Sequence, residues 1–422
     1  MPRKALSGEE MRYIGLELQK LWRSPVIWIL LIVFLGFNSF YIWSEAREGK
    51  ELAILNDIVE TYGKTINDEA LEGLQEEIEQ KAIALGSEQG AAAYLDSMTP
   101  EFYYKQSEDM QQQIDELSLY AMYADLAGRL GERYEKIDIH AFGEDMKKTY
   151  GLSGISASWM DEHFAQLEGR FETFMENESY NEWFFAGNPY RMHSFLFRSI
   201  MKIIALEGIL LAVLMTAYLT AYEREQRTHL LVFASKIGRG LMKKKAWAAG
   251  IATVWAGLLL MAGTLAVFFS FHDYSGLWNV NVGSGLNWEY QAPYVFWWDM
   301  PIWQYLLLAV VIVFISWLII TIATFAMAVR VQSSYIVSIA ILLVLLALFV
   351  VPSYFTFSPL LMLASHFNLM LLVLNPHMLF NGLSGMTGFW YHELLTLSIF
   401  MLLAAVVAIR TMKRFKRKDI HE

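Results

Sequence analysis

Four stretches of this chain, Pro25–Trp43, Ala246–Phe271, Ile302–Val329 and Tyr335–Val351, run from end to end without an Asp, Glu, Lys or Arg. A hydrocarbon core roughly 30 Å thick is crossed by about 20 apolar residues of helix, so these runs dictate a bilayer as their surroundings. Two more stretches, about Ile203–Tyr222 and Phe389–Ile409, are equally apolar apart from one acid each, Glu207 and Glu393. The reading is an all-α, polytopic membrane protein with six transmembrane helices. Its composition agrees: 55% of residues are hydrophobic and 18% charged, whereas soluble domains carry nearer 25% charge. There is no cysteine, which removes disulfides, thiolate nucleophiles and Cys-ligated metals.

Short loops rich in Lys and Arg stay in the cytoplasm. Basic residues cluster at the start (Arg3, Lys4, Arg12, Lys20, Arg23), in the 223–245 loop, at Arg330, and in the tail 410–422. Six crossings put all four clusters on one side and predict both termini in the cytoplasm. Phe357–Leu374 is long enough to be a seventh crossing, but that would export the tail. Pro352, Pro359 and Pro376 also interrupt this region, and proline breaks helices. A re-entrant hairpin over 353–376, before the last crossing, is therefore expected, packed against other helices because lipid does not tolerate irregular backbone. Within residues 1–24, Met11, Ile14, Leu18 and Leu21 recur at helical spacing and predict an amphipathic interfacial helix, followed by the first crossing at 25–43.

Charge divides the chain. Residues 45–190 hold 31 acids and 11 bases, leaving the remainder at net +10 although the whole chain is at −10. The segment 44–200 shows helical stripes (Leu52, Leu55, Ile58, Tyr62, Ile66; Leu71, Leu74, Ile78, Ala82, Leu85; Met160, Phe164, Leu167, Phe171, Phe174). Asn67-Asp68 reads as a helix cap. The segment is expected to be a helical, acidic, extracytoplasmic domain. Tyr180, Trp183, Phe184, Phe185 and Tyr190 read as headgroup anchors where the chain re-enters the membrane. The Trp-rich loop 272–301 (Trp278, Trp288, Trp297, Trp298) reads as an outer aromatic belt, with a lid over the exit as the alternative. Residues 201–422 form the remaining transmembrane domain.

The 223–245 loop runs Glu223-Arg224-Glu225-Gln226-Arg227-Thr228, then an apolar stretch His229–Ala234, then Ser235-Lys236-Ile237-Gly238-Arg239 and Lys243–Lys245. Alone, such a loop need only fix topology. Its pattern resembles type-2 ABC-transporter permeases, whose loop reads E-x-E-x-G-T, a leucine-rich stretch, S/T-P-x-S/G-R and a later Lys. Glu223, Glu225, Thr228, Ser235, Gly238 and Arg239 match in register; Arg227 stands where the family usually has Gly, and Lys236 where it has Pro. The membrane-embedded parts, about two-thirds of the chain, follow that family's layout, and the large insertion after the first crossing is similar to a subset of its exporters.

The resemblance implies the membrane subunit of a bacterial ABC exporter in the plasma membrane, with the six matched residues coupling it to an ATPase. The chain has no G-x-x-x-x-G-K-[ST] phosphate loop, so the expectation is no cofactor on this chain, with ATP and Mg on a separate nucleotide-binding subunit. The other expected partners are a second permease chain, identical or not, and membrane lipids. No nucleic-acid partner, metal site or catalytic constellation is expected, and the chain is read as a transport subunit, not an enzyme. Pathway candidates are the polar groups at membrane depth: Glu207, with Lys202 or Arg198 as possible interfacial partners, and His366 and Asn368 in the hairpin. The last two equally suit the satisfaction of freed backbone groups. The competing reading is a membrane-anchored receptor or assembly factor whose acidic domain captures a ligand.

Overall fold

Ser24 and Pro25 begin the first long apolar helix, as expected of a proline at the first helical position, where its missing N–H is no loss. The computed structural model describes residues 8–46, 49–235, 238–284, 295–331 and 333–417. The N-terminal helix α1 (Gly8–Trp22) leads into α2 (Pro25–Glu45). Arg3, Lys4, Lys236, Trp288 and Lys418 lie outside the described residues, as do the first seven positions of the 1–24 segment.

Eight helices follow in the acidic segment: α3 (Gly49–Tyr62), α4 (Asp68–Ala84), α5 (Ala91–Asp96), α6 (Pro100–Tyr103), α7 (Glu108–Gly128), α8 (Leu130–Tyr134), α9 (Ile139–Thr149) and α10 (Ile155–Glu176). Asn67 caps α4 by accepting from the Ala70 N–H at 2.8 Å. The stripes turn inward: Leu52, Leu55, Ile58, Leu74, Ile78, Met160, Phe164 and Leu167 are buried. So are Trp183, Phe184 and Phe185. These three rings fill the domain's base rather than reaching headgroups, because burying them in protein removes more apolar surface than an interface does.

The rest of the chain comprises α11 (Gly187–Ser194), a π-helical turn Phe195–Ile200, α12 (Met201–Glu225), α13 (His229–Ala234), α14 (Leu241–Phe271), α15 (Ile302–Ala328), α16 (Ser334–Val350), α17 (Pro359–Ser365), α18 (Leu369–Leu374) and α19 (His392–Arg417). Among the described residues, six helical runs are long and apolar enough to cross a membrane: Pro25–Glu45, Pro189–Glu225, Gly238–Phe271, Ile302–Ala328, Ser334–Phe355 and His392–Arg417. The chain is a multi-pass membrane protein. Phe357–Leu374 forms no such run; α17 and α18, at 1.5 Å per residue, are each about 10 Å long. Lys243–Lys245 belong to α14 rather than to a loop.

The second run is the hub, since α12 packs against α2, α14, α15, α16 and α18. Trp317 of α15 fits because two neighbours carry glycine there: a Cβ at Gly208 or Gly257 would overlap its indole. Its Nε1 donates to the Ala205 carbonyl at 3.0 Å. Small residues allow this close helix approach.

The acidic domain is sewn to one end of the bundle by polar contacts. Asn56 donates to the Asp273 carbonyl (2.8 Å) and accepts from the Gly276 N–H (2.9 Å). Arg170 pairs with Asp299 (2.7 Å) and donates to the Phe296 carbonyl. His163 Nε2 lies 3.0 Å from the Gly382 carbonyl, so that nitrogen carries the proton. Trp278 and Trp297 of the predicted belt are partly buried here, Trp297 donating to the Gly388 carbonyl at 2.6 Å, while Trp298 is exposed.

Two outcomes follow. Gly208→Ala will lower stability by about 1–3 kcal/mol, read from thermal unfolding of the purified protein. Burial lowers the His163 pKa to about 4, opposed by its bond to Gly382. A histidine whose folded pKa lies below its unfolded value stabilises fully above about pH 6.5 and progressively less as pH falls toward 4. Unfolding midpoints measured between pH 7 and 4 will fall with acid, and His163→Gln will remove up to about 3 kcal/mol of that dependence.

Candidate functional site

At the end of the bundle away from the acidic domain, α1 lies along α14 and meets α12. Ile14 and Leu21 are buried there, while Met11 of the same predicted stripe is 62% exposed. Glu17 shares the inward face. It and three other charged groups form a closed four-membered network. Lys20 Nζ is 2.6 Å from Glu17 Oε1 and 2.7 Å from Glu223 Oε1; Lys245 Nζ is 3.1 Å from Glu17 Oε2 and 2.6 Å from Glu223 Oε2. Lys245 is 0% exposed and also donates to the Leu219 carbonyl. Two cations on two anions leave no net charge in a place where one uncompensated charge would cost several kcal/mol. Burial opposes the Lys20 ammonium, but Glu17 and Glu223 outweigh it and raise its pKa. Lys20 also lies 4.8 Å from the Tyr222 ring centre, and Lys244 pairs with Glu10.

The matched loop residues fall around this network. Helix α12 ends in a Schellman arrangement: the Thr228 N–H donates to the Glu223 carbonyl (2.8 Å) and the Arg227 N–H to that of Arg224 (3.0 Å). Arg227 has a φ of 57°, the left-handed region that favours glycine, at the position where the resembled pattern has Gly. Glu225 Oε1 accepts from the Ser334 N–H at 2.7 Å and so caps α16. Arg239 donates to the Lys416 carbonyl at 2.6 Å and fastens the tail helix, while Phe233 packs on Phe415 at 5.5 Å. Ser235 is exposed and donates to the Val232 carbonyl; Gly238 has a φ of 46°. Glu223, Glu225, Thr228 and Arg239 thus have bonds within the chain. The large apolar side chains that this loop exposes are Leu230 (47%) and Leu231 (78%) on α13.

Between α1, the end of α12 and α13 lies an open cleft of about 770 Å³, lined among others by Tyr13, Lys20, Arg23, Tyr222, Leu231 and Ser235. An exposed apolar helix beside a cleft with basic and tyrosine side chains suits a docking protein surface.

The pathway candidates lie elsewhere. Glu207 is buried on α12; its partner is Asn38 of α2, at 2.8 Å, rather than Lys202 or Arg198. His366 and Asn368 occupy the joint between α17 and α18. His366 Nδ1 faces the Met362 carbonyl (2.7 Å), and Asn368 caps α18 through the Met370 N–H (2.9 Å) while donating to the Leu348 carbonyl. Both satisfy backbone groups that the break in the helix sets free. Among the described residues no three His, Asp or Glu side chains are grouped to hold a metal.

The sequence patterns do not single out Glu17, Lys245 or Asn38 as site residues. A signal for Glu17 was present, since it lies three residues after Ile14 and four before Leu21, which places a carboxylate on the apolar stripe. Lys245 looked like any topogenic lysine, and Asn38 was hidden in an otherwise apolar run.

Lys245→Met will leave Glu17 and Glu223 with Lys20 alone, one buried negative charge uncompensated, and destabilise the protein by about 3–5 kcal/mol, whereas Lys243→Met, on the exposed side of α14, will stay within about 0.5 kcal/mol; denaturation in detergent compares the two. No family model, curated protein or solved structure matches this chain.

Proposed function

We propose that this chain is the permease subunit of an ATP-driven ABC exporter in a bacterial cell membrane, working with a second permease chain and a separate ATPase. On this reading the basic end of the bundle faces the cytoplasm, with α1 at the inner leaflet and the acidic domain outside. The observation that carries it is the end of α12: a left-handed turn at Arg227, then the exposed helix α13 beside the open cleft. Nucleotide-driven closure of two ATPases would press on α13. Because α12, α1 and α14 are tied by the Glu17, Lys20, Glu223 and Lys245 network, that push reaches three helices together and biases the pathway between two states. The α17–α18 segment serves as the re-entrant hairpin, held by α12, α16 and α19.

A receptor reading rests on a different observation, an open cleft of about 1080 Å³ in the domain, lined among others by Glu51, Asp57, Glu108, Asp115 and Tyr120. It predicts no ATPase companion.

The test is co-purification of a nucleotide-binding subunit co-expressed with the chain. Leu231→Asp will release that subunit and abolish stimulated hydrolysis while leaving the stability of the permease within about 0.5 kcal/mol of wild type. Glu223 is unsuited to this test because it is buried in the ion network. Wild-type chain that retains no ATPase under any nucleotide condition defeats the transport reading.

A further inference from the structure

Glu207 sits where α2, α12 and α14 meet and is 8% exposed; Asn38 is fully buried. Asn38 Nδ2 donates to Glu207 Oε2 at 2.8 Å and to Thr264 Oγ1 at 3.1 Å. Asn38 Oδ1 is buried and has no hydrogen-bond partner. No Asp, Glu, Lys, Arg or His occurs in Pro25–Trp43, Ala246–Phe271, Ile302–Val329, Tyr335–Val350 or Leu369–Leu374 of the neighbouring helices; the charged groups that the packed elements bring to α12, Glu17 and Lys20 of α1 and Lys245 of α14, gather at Glu223, about four turns along α12 from Glu207. On the same helical run the nearest charges are Lys202 and Arg198, and neither is ion-paired with Glu207.

An ionised carboxylate held away from water by one amide donor is strongly disfavoured, and an orphaned buried acceptor adds to that cost. A single proton removes both costs. A carboxylic acid at Glu207 can offer its O–H to the unpartnered Asn38 Oδ1 while Oε2 keeps accepting from Asn38 Nδ2, which would close an acid–amide pair. Turning the Asn38 amide over does not avoid this, because Oδ1 would then face the carboxylate oxygen and again require a hydrogen between them.

We propose that Glu207 and Asn38 form a proton-binding site between the first three crossing helices. This goes beyond the transport reading and does not depend on it. The proton is bound while α2 stays packed on α12; parting the two helices breaks the pair, wets the acid and releases the proton. Proton occupancy and helix packing are thereby linked. The competing occupant is a desolvated metal cation. It is disfavoured because the amide N–H, not its oxygen, faces both Glu207 and Thr264, and hard cations take about six oxygens.

Infrared spectra of the purified full-length protein in lipid nanodiscs at neutral pH test this. The expected result is a protonated-carboxyl C=O band that shifts in heavy water and is missing from Glu207→Gln, with the melting midpoint of that variant preserved because glutamine reproduces the donor and acceptor of the acid. Loss of Oδ1 in Asn38→Ala will shift the same band toward that of a free acid, and this carries the test if the glutamine variant does not fold. No change in the band in either variant overturns the proposal. So does a sodium- or potassium-dependent rise in wild-type midpoint that Glu207→Gln abolishes, which would place a metal cation there instead.

Discussion

Lys245 has no exposed surface, and its ammonium rests between two carboxylates from different helices. Much at the basic end depends on that closed set of charges. Taking an ammonium out of water costs several kcal/mol even after relaxation, and only the simultaneous presence of Glu17 and Glu223 offsets it. The network therefore forms only when α1, α12 and α14 are all in place. It lends specificity to a junction that apolar packing alone would leave free to slide, since lipid is as apolar as the helix faces that would otherwise meet.

The opposite end uses neutral polar contacts to the same purpose. His163, Arg170 and Asn56 each reach a backbone carbonyl in a segment following a crossing helix. Such carbonyls are left over where the chain is irregular, and a buried acceptor must find a donor. The acidic domain supplies those donors, which is why it sits against the 272–284 and 295–301 segments and the 376–391 loop, and why its buried apolar residues are continuous with those of the bundle.

How far this was legible before the fold was known depends on the length scale of each signal. The crossings were readable because runs such as Ile302–Val329 leave no alternative in water. The Asn67 cap was readable because its bond closes within three residues. Trp183, Phe184 and Phe185 were misplaced, because aromatic rings near a membrane entry carry the same pattern whether they meet headgroups or a domain core. The Glu223 and Glu225 positions were found through their pattern, but their bonds to Lys20, Lys245 and the Ser334 N–H span distant parts of the chain, which no local periodicity encodes. The Asn38 and Glu207 pair, 169 positions apart, is of the same kind.

The indole of Trp317 bears on how such a bundle can move at all. Wedged into notches left by Gly208 and Gly257, it keys α15 to two neighbours at once. A key of this shape forbids one helix from gliding past either companion without first being withdrawn sideways. The trio must consequently travel as a rigid block, and whatever opening the molecule achieves falls to the less buried outer helices α2, α16 and α19.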